Sequence, residues 1–474
     1  MKLAGKLTYK GTLISQSPIL IGSGESDLTD IDIYLDSSGN PFIPASSLVG
    51  VWRHSSGLFP GKKTDDQTLR LLFGYSEGEE GQISCLIADD LTASQPYTIS
   101  IRDGIRIAPE TGVVEDGKKF DYQILESGVK FSFEITVNLP VFAEKESQPK
   151  SEDFQQIIRN LLNKMNSGEI RFGRKTTNGF GHLKFIENKV DLLIYDFKNP
   201  DHISDWMENK EPSKGKSSLS FTENPDYPFS ISITANVRNS ILIRAASSDV
   251  NAADASQLRN GKNEAILPAS SLKGPIRHQA QRILTLIAKD TSKELIDEMW
   301  GFVEDGGTSK TSNVRMEETL IEGGVSDEVQ TRIKIDRFTG GTIEGALLEE
   351  QPVFGLPLYL KKQAGNAKVV LNWYLLNEKD WQAGLLLFLL RDLVQGRIRF
   401  GGGKAIGRGV LEPTNIQIHW KGKTYQLTIE IDESVGIGSL KADEVKKFDS
   451  LLEAFQTELK KPAKSKKEEV NHVG

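Results

Sequence analysis

Residues 44–54 read Pro-Ala-Ser-Ser-Leu-Val-Gly-Val-Trp-Arg-His, and residues 268–278 read Pro-Ala-Ser-Ser-Leu-Lys-Gly-Pro-Ile-Arg-His. Eight of the eleven positions are identical at an offset of 224 residues. A second matching pair, residues 171–181 and 399–409, begins with Arg-Phe-Gly and is rich in glycine, at an offset of 228. Because the two pairs keep their order and nearly their spacing, the repeated unit is a domain of about 200 residues rather than a repeat module of ~20–50.

The composition is that of a water-soluble protein with hydrophobic cores. The chain has 474 residues, of which 38% are hydrophobic and 26% charged, and its length fits two large domains. One cysteine, Cys85, excludes an intramolecular disulfide and indicates a reducing compartment. The N-terminus lacks the apolar core of a signal peptide, and the most apolar stretch, residues 385–390, is far shorter than the ~20 residues of a membrane span. We expect a cytoplasmic protein without a membrane partner.

The domain organisation predicted from these patterns has four parts. Residues 1–191 form the first domain, and residues 192–226, which are rich in turn formers and charge, form a linker. Residues 227–431 form the second domain. Residues 432–474 are a C-terminal extension that ends in a lysine-rich, disordered tail.

Hydrophobic periodicity predicts helices near residues 69–73, 154–165, 276–287 and 381–394, with alternating strand patterns between them. Two main helices among strands in each unit favour an α+β fold. We expect a four-stranded antiparallel sheet with helices on one face, the split βαβ or ferredoxin-like arrangement, once per unit.

The charge is unevenly distributed. A net charge of −7 and a pI near 5.6 argue mildly against nucleic-acid binding. The glycine-rich stretches are nevertheless basic: they and their flanks hold Arg171, Arg174, Lys175 and His182 in one copy and Arg397, Arg399, Lys404 and Arg408 in the other. A local basic groove on an acidic protein is compatible with this pattern.

The repeated Pro-Ala-Ser-Ser motif predicts the start of a helix. Ser46 or Ser47, like Ser270 or Ser271, can cap that helix, and its first N–H groups can bind a phosphate. Capping alone would explain the serines. Capping does not require the repeated Arg-His pair at residues 53–54 and 277–278.

The glycine-rich stretches favour a loop that approaches an anionic ligand. Glycine lets the backbone come close to a ligand, and interspersed Arg and Lys favour negative charge. Neither copy fits the phosphate loop of nucleotide hydrolases or the Gly-x-Gly-x-x-Gly fingerprint. A polymeric phosphate is therefore a better candidate ligand than a nucleotide.

Acidic residues in the loop before each Pro-Ala-Ser-Ser motif are candidate catalytic groups. Asp30 and Asp254 occupy the same position counted back from the two prolines. A lone loop aspartate is usually a turn former, but a repeated one beside basic, glycine-rich segments is a candidate catalytic carboxylate. Asp27, Asp32 and Asp249 are the alternatives in these loops.

These motifs, present twice in the same order, resemble the RAMP superfamily of CRISPR systems. Within it they are similar to the backbone subunits of type III effector complexes. The stretch Ile-Asp-Arg-Phe-Thr-Gly at residues 335–340 supports the resemblance, and residues 107–112 do so less fully. The likeness covers nearly all of the chain outside the linker and tail. Two fused units resemble the tandem backbone subunit of a type III-D-like complex.

The resemblance implies a guide-RNA-binding palm, ferredoxin-like or RRM-like, in each unit, with a thumb hairpin that interrupts the guide–target duplex. Beside each interruption an aspartate, here Asp30 and Asp254, supports cleavage of single-stranded target RNA. The implied partners are guide RNA, target RNA, and other RAMP-type and large subunits of a type III complex. The implied RNA-binding residues are Ser46, Ser47, Arg53, His54, Arg171, Arg174, Lys175, Ser270, Ser271, Lys273, Arg277, His278, Arg337, Arg399, Lys404 and Arg408.

The chemistry of RNA fits one carboxylate per site. RNA supplies its own nucleophile, the 2′-hydroxyl, so the protein need only position one nucleotide and assist proton and charge movement. A carboxylate can act as a base or as a ligand of Mg²⁺ or another hard divalent cation. We expect weak metal binding at Asp30 and Asp254 that depends on RNA.

The first unit departs from the second at two places in these motifs, and two other functions remain open. Val49 stands where the second unit has Lys273, and Ala108-Pro109 stands where it has Asp336-Arg337. The alternatives are a non-catalytic RNA-binding scaffold and a guide-processing ribonuclease in which a histidine, His54 or His278, is the acid or base.

Overall fold

The computed structural model describes residues 2–25, 29–58, 66–77, 80–108, 111, 113–141, 149–245, 253–303, 308–355, 365–432 and 437–462. The chain divides into two compact units. The first comprises Met1–Gly104, Phe120–Thr176 and Phe180–Asp226, and the second comprises Ile105–Lys119, Thr177–Gly179 and Tyr227–Gly474. Both are mixtures of helices and strands, as predicted.

The first half of the chain contains four α-helices and fourteen strands among the described residues. The helices are α1 Ala45–Ser55, α2 Gln67–Phe73, α3 Ser151–Ser167 and α4 Pro200–Met207. The strands are β1 Leu3–Ser15, β2 Gly22–Gly24, β3 Asp32–Ile33, β4 Phe42–Ile43, β5 Tyr75–Glu77, β6 Glu80–Gln82, β7 Leu86–Ala88, β8 Leu91–Ser94, β9 Ile99–Ile107, β10 Val114–Leu125, β11 Lys130–Pro140, β12 Leu183–Phe185, β13 Lys189–Asp196 and β14 Lys216–Ser220.

The first unit is built around β1. Its alternating side chains bury Leu7, Tyr9 and Leu13, as expected of a half-buried strand. It pairs antiparallel with β11 on one side and β13 on the other, and the sheet has the order β14-β13-β1-β11-β8-β4. Trp52 of α1 and Ile158 of α3 are fully buried in the same core.

The second half contains five α-helices and seventeen strands among the described residues. The helices are α5 Ala269–Ile287, α6 Ser292–Trp300, α7 Asp380–Val394, α8 Ala442–Val445 and α9 Asp449–Leu459. The strands are β15 Phe229–Arg238, β16 Ser240–Ile241, β17 Arg244–Ala245, β18 Ala255–Gln257, β19 Ile266–Leu267, β20 Phe302–Val303, β21 Ser309–Lys310, β22 Val314–Met316, β23 Thr319–Leu320, β24 Gln330–Ile335, β25 Thr342–Gln351, β26 Val353–Phe354, β27 Lys368–Leu375, β28 Val410–Trp420, β29 Lys423–Leu427, β30 Ile429–Asp432 and β31 Ile437–Leu440.

The second unit repeats this plan around β15. This strand pairs antiparallel with β27 and β28 in a sheet of order β22-β27-β15-β28-β29. These antiparallel sheets with helices are compatible with the predicted ferredoxin-like arrangement. The helices predicted from periodicity are confirmed as α2, α3, the later part of α5, and α7.

Each half carries one long hairpin, which comes before β11 in the first half and before β27 in the second. In the first it is β9–β10, and in the second it is β24–β25, where Arg332 pairs with Leu348 and Ile333 with Leu347. We call these two elements the thumb hairpins.

The segment expected to be a linker, residues 192–226, is instead part of the first unit. β14 pairs with β13 over five residues, from Lys189 opposite Ser220 to Leu193 opposite Lys216. The turn formers that suggested a linker start α4: the Asn199 side chain accepts the N–H of Asp201, with proline at the first helical position. Capping residues and linker residues have the same composition, so composition could not separate them.

The described part of the C-terminal extension, residues 437–462, is folded. Helix α9 packs on α7 at Gly384, where a Cβ would lie 2.3 Å from the main-chain oxygen of Leu451. This covering explains why α7 is buried on nearly every side. The lysine-rich tail predicted to be disordered lies, from residue 463 on, outside the described residues.

Candidate functional site

Asp30 is tethered to the thumb hairpin of its unit. It stands two residues before β3, and its Oδ2 accepts the main-chain N–H of Asp121, on β10, at 2.8 Å. The N–H of Asp30 in turn donates to Oδ1 of Asp121 at 3.0 Å. The side chain of Asp30 is exposed, so the tether orients the carboxylate without burying it.

Asp254 makes the same contact in the second unit. It immediately precedes β18, and its Oδ2 accepts the main-chain N–H of Glu349, on β25, at 2.7 Å. Asp121 and Glu349 are 228 residues apart, the same offset as the glycine-rich stretches. The two aspartates that the sequence selects are thus held by equivalent main-chain groups.

The competing loop acids have other contacts or cannot be placed. Asp32 accepts a hydrogen bond from the Thr29 hydroxyl through Oδ1. Asp36 closes a local turn: the N–H of Asn40 above all, and that of Ser38, lower the pKa of its carboxyl. Asp27 and Asp249 lie outside the described residues.

Asp121 and Glu349 are acids that our sequence analysis missed. Both are partly buried. The carboxylate of Asp121 lies beside Asp30, whose N–H it accepts, whereas Glu349 contacts Asp254 through its main-chain N–H. Both lie in weakly similar hairpin sequences, so only the constant 228-residue offset could have indicated them. The first unit therefore brings two acids together rather than one.

The described residues contain no group of three or more His, Cys, Asp or Glu side chains that could hold a metal. The candidate ligands are Asp30 with Asp121 in the first unit and Asp254 in the second. One or two carboxylates fall short of the six oxygens that Mg²⁺ prefers. A hard cation there would need RNA oxygens and water to complete its set of ligands.

The repeated serines do not cap their helices, contrary to prediction. Helix α1 has Pro44 and helix α5 has Pro268 at the N-cap position, both without a side-chain cap. The serines, Ser46, Ser47, Ser270 and Ser271, fall in the first helical turn, because the proline carbonyls already accept the first helical N–H groups. In the first unit the N–H of Ala45 donates to Asp90 at 2.7 Å, so an acid of the chain already occupies part of that N-terminus.

Helix α5 presents a cluster of cations. Burial, then the charges of Arg277 and Arg315, lower the pKa of Lys273 to about 7. Arg277 lies 3.9 Å from Asp297 and is nearly half exposed. On α1 the corresponding arginine, Arg53, is exposed, and so are the two repeated histidines, His54 and His278. The position of Lys273 is held by the apolar Val49 in α1.

The glycines of the two glycine-rich loops approach the chain's own backbone, which corrects their prediction as ligand-facing positions. A Cβ on Gly173 would lie 2.3 Å from the main-chain oxygen of Leu20, and one on Gly401 would lie 2.4 Å from that of Leu242. Both glycines have positive φ angles, 84° and 74°. The glycine pattern therefore has a packing reason in each unit.

Several basic residues of these loops also serve the fold. Arg171 is buried and donates from Nε to the carbonyl of Gly168 at 3.0 Å, which closes the end of α3. Arg408 is buried and lies 2.9 Å from Glu350. Arg399 is exposed and donates to the carbonyl of Lys404 at 2.7 Å. Arg171 and Arg408, both predicted to bind RNA, thus have structural roles.

Other cations remain accessible. Arg174 and Lys404 are exposed, and so is Arg337 at the tip of β24–β25, beside the fully exposed Phe338. Asp336 stabilises that tip by accepting the N–H of Phe338 at 2.7 Å. The corresponding tip of β9–β10 includes residues outside the described part of the chain.

Lys175 is an unusual member of the first glycine-rich loop. Its ammonium lies 3.9 Å from the ring centroid of Tyr122 and 4.7 Å from that of Phe120. Burial lowers the pKa of Lys175 to about 8. The second unit has Gly403 and Glu350 in place of Lys175 and Tyr122, so the two copies differ in chemistry next to their aspartates.

The chain is a duplicated protein of two α+β units. Each unit has an aspartate held by a hairpin and accessible cations on a helix and a loop. This arrangement is suited to binding a polyanion. The sequence model of the RAMP superfamily matches residues 12–184 and 234–412. The chain belongs to the RAMP superfamily and contains two RAMP domains. This membership supports a CRISPR-associated RNA-binding subunit.

A search of curated proteins finds no match to the chain. Among the described helices, none is long and apolar enough to span a membrane.

Proposed function

We propose that the chain is a guide-RNA-binding backbone subunit of a type III CRISPR ribonucleoprotein that cuts complementary target RNA at two positions. Asp30 acts at one position and Asp254 at the other. The observation that carries the proposal is the shared tether, in which Oδ2 of each aspartate accepts a main-chain N–H of the second thumb strand at 2.8 and 2.7 Å. The proposed partners are guide RNA, target RNA and neighbouring subunits of a type III complex.

The tether gives each carboxylate a fixed direction. With Oδ2 engaged, Oδ1 remains to accept a proton or to bind a cation. A fixed acceptor is worth more in a reaction than a mobile one because its orientation is set before the substrate arrives.

The reaction that fits is attack of the 2′-oxygen of a target nucleotide on the adjacent phosphorus. The 2′-hydroxyl loses its proton, the bond from phosphorus to the 5′-oxygen breaks, and that oxygen gains a proton. The products are a 2′,3′-cyclic phosphate and a 5′-hydroxyl. The thumb hairpin next to each aspartate is the element that would unstack one nucleotide and bring the 2′-oxygen, phosphorus and leaving oxygen into line.

A divalent cation would be held by Asp30 with Asp121 in the first unit and by Asp254 in the second, together with RNA oxygens. When bound, such an ion stabilises charge on the phosphate oxygens. The carboxylates of the chain position it and balance its charge.

Guide binding is assigned to the accessible cations. On α5 these are the exposed Arg277 and the half-buried Lys273, and in the second glycine-rich loop the exposed Lys404 belongs with them. Phosphate contacts of this type fix register and affinity without reading sequence. Sequence recognition is left to base pairing between guide and target.

The test uses complexes assembled with a guide RNA and an end-labelled complementary target. Asp30→Ala and Asp254→Ala, made singly, should each remove one cut and leave the other, with binding of the target unchanged. Asp30→Asn and Asp254→Asn keep an oxygen that accepts the tethering N–H and remove only the charge. They should lose the same cuts if the charge is what matters.

Asp36→Asn is the matched control. Asp36 lies six residues after Asp30, on the other side of β3. Its carboxylate is used by its own turn, which asparagine also forms. Both cuts should persist in this variant. If both cuts also persist in the two alanine variants, the chain is an RNA-binding scaffold without the proposed chemistry.

A further inference from the structure

An arginine and a glycine have exchanged places between the two units. Arg174 and Gly402 are equivalent, because their N–H groups donate to the carbonyls of Leu20 and Leu242 at 2.7 and 2.8 Å. Two residues beyond those leucines stand Gly22 in the first unit and Arg244 in the second. The first unit thus pairs a loop arginine with a strand glycine, and the second pairs a strand arginine with a loop glycine.

The two arginines fill the same place from opposite sides. A Cβ on Gly22 would lie 3.6 Å from Nε of Arg174, and a Cβ on Gly402 would lie 3.3 Å from Nε of Arg244. Each guanidinium therefore lies against the glycine that replaces its counterpart. The side chain is retained in both copies although the backbone position that supplies it differs.

Packing alone does not account for this retention. Arg174 is exposed, and the side chain of Arg244 is 59% exposed. A guanidinium at a solvent-accessible place contributes little to stability. Retaining it through an exchange of backbone positions points to a ligand that needs the group there.

The second unit also fixes the direction of its arginine. Nη2 of Arg244 lies 3.2 Å from Oε1 of the buried Glu350, which pairs with Arg332 and Arg408 as well. One carboxylate faces three guanidiniums, so positive charge is in excess. Such a cluster is suited to an added anion.

Both places adjoin the aspartate loops. The Cβ position of Gly22 lies 2.9 Å from Cγ2 of Ile31, the residue after Asp30. In the second unit Glu350, which holds Arg244, is opposite Ala255 in the parallel pairing of β18 with β25. Ala255 follows Asp254, so each guanidinium lies near the carboxylate proposed to act.

We propose that Arg174 and Arg244 are one functional group supplied from two backbone positions, and that it binds a phosphodiester of the RNA held at the neighbouring aspartate. The inference rests on the proposed function for the identity of that RNA. The planar guanidinium offers two parallel N–H donors to two phosphate oxygens, a geometry that lysine cannot reproduce.

The experiment removes each arginine and then restores it from the other side. Arg174→Gly and Arg244→Gly should each slow one cut at least tenfold and leave the other unchanged. The double variants Arg174→Gly with Gly22→Arg, and Arg244→Gly with Gly402→Arg, transplant the arrangement of the other unit. They should recover most of the lost rate, and lysine in place of either arginine should recover less.

The transplants are sterically reasonable. Neither Gly22 nor Gly402 has a positive φ angle, so both accept a side chain. A Cβ on Gly22 would lie 2.9 Å from the branch methyl Cγ2 of Ile31, so that side chain must shift to admit the transplant. The close neighbour of a Cβ on Gly402 is the arginine that the variant removes. Thermal unfolding checks that each variant is folded, and the two transplants are independent tests.

A second readout does not depend on cleavage. The affinity of the full chain for a single-stranded RNA is measured against salt concentration, where each lost phosphate contact lowers the slope of log K against log salt by about 0.7. Each glycine variant should lower the slope by that amount, and its transplant should restore it. Unchanged slopes, or transplants that fold without restoring slope and rate, would overturn the inference, whereas intact cutting in the aspartate variants would refute only the proposed function.

Discussion

Lys273 should couple RNA binding to proton uptake. Burial and the charges of Arg277 and Arg315 lower its pKa to about 7 from the ordinary 10.5. A phosphate beside the ammonium stabilises the charged form and raises the pKa again. RNA should therefore bind with uptake of a proton at any pH between the free and bound pKa values, and its affinity should fall as the pH rises above 7.

The size of the effect follows from the two pKa values. If the bound pKa returns to its ordinary range, the affinity falls about 25-fold between pH 6.5 and pH 8.5. The assay is fluorescence anisotropy of a short labelled RNA with the full chain at constant ionic strength. Arginines do not titrate in this range, so Arg277 and Arg315 add no slope. Lys175, whose pKa burial lowers to about 8, is present in both proteins compared below, so the difference between them reports Lys273.

Lys273→Val is the matched variant because the first unit has Val49 at this position. It should weaken binding at pH 6.5 and remove most of the pH dependence. It should also stabilise the free chain at neutral pH, since a lysine whose folded-state pKa is depressed opposes folding until the pH exceeds its unfolded pKa. An affinity that depends on pH equally in both proteins would refute the assignment of Lys273 as a phosphate ligand.

Three further predictions concern the framework of the site. Gly401→Ala should lower the free energy of unfolding by about 2–4 kcal/mol in chemical denaturation, because its Cβ would lie 2.4 Å from a carbonyl oxygen. Gly407→Ala, which has a positive φ but no neighbour within 4 Å, should cost only about 1 kcal/mol, and equal losses would contradict the packing explanation. Glu350→Gln should destabilise the fold by about 3 kcal/mol or more, since Arg408 stays buried without its carboxylate, and a neutral effect in thermal unfolding would show that the pair is dispensable. Phe338→Ala should leave the unfolding midpoint unchanged because the ring is fully exposed, yet reduce target cutting, and full cutting would exclude the hairpin tip from a role in unstacking the RNA.

The duplication and the main helices could be predicted from the sequence because each leaves a local pattern, whereas the thumb hairpins were expected only from the family resemblance. The offset of 224 residues also separated Asp30 from its neighbours without any structure. In contrast, β14 and α4 were not foreseen, because Asn199 and Pro200 give the same signal in a linker as at the start of a helix.

The site was predictable only where its residues are repeated. Asp121 and Glu349 lie on the hairpin, about 90 residues from the aspartates they hold, and no local pattern connects positions so far apart. For Arg171 and Arg408 the sequence predicted RNA binding, whereas the structure shows contacts within the fold. Basic residues in a glycine-rich loop suggest a ligand, but their burial and their partners, Gly168 and Glu350, depend on tertiary packing that composition does not encode.

One complex that carries both Asp30→Asn and Asp254→Asn shows whether these two carboxylates cut the target RNA, because both its cleavage and its binding of the target can be measured. The complex is assembled with guide RNA, and a complementary target is followed by gel for product size and by filter binding for retention. If the two aspartates act as proposed, the target remains bound and intact, while the unaltered complex yields two cuts with 2′,3′-cyclic phosphate ends. Cutting at the unaltered rate and positions by the doubly substituted complex would contradict this proposal.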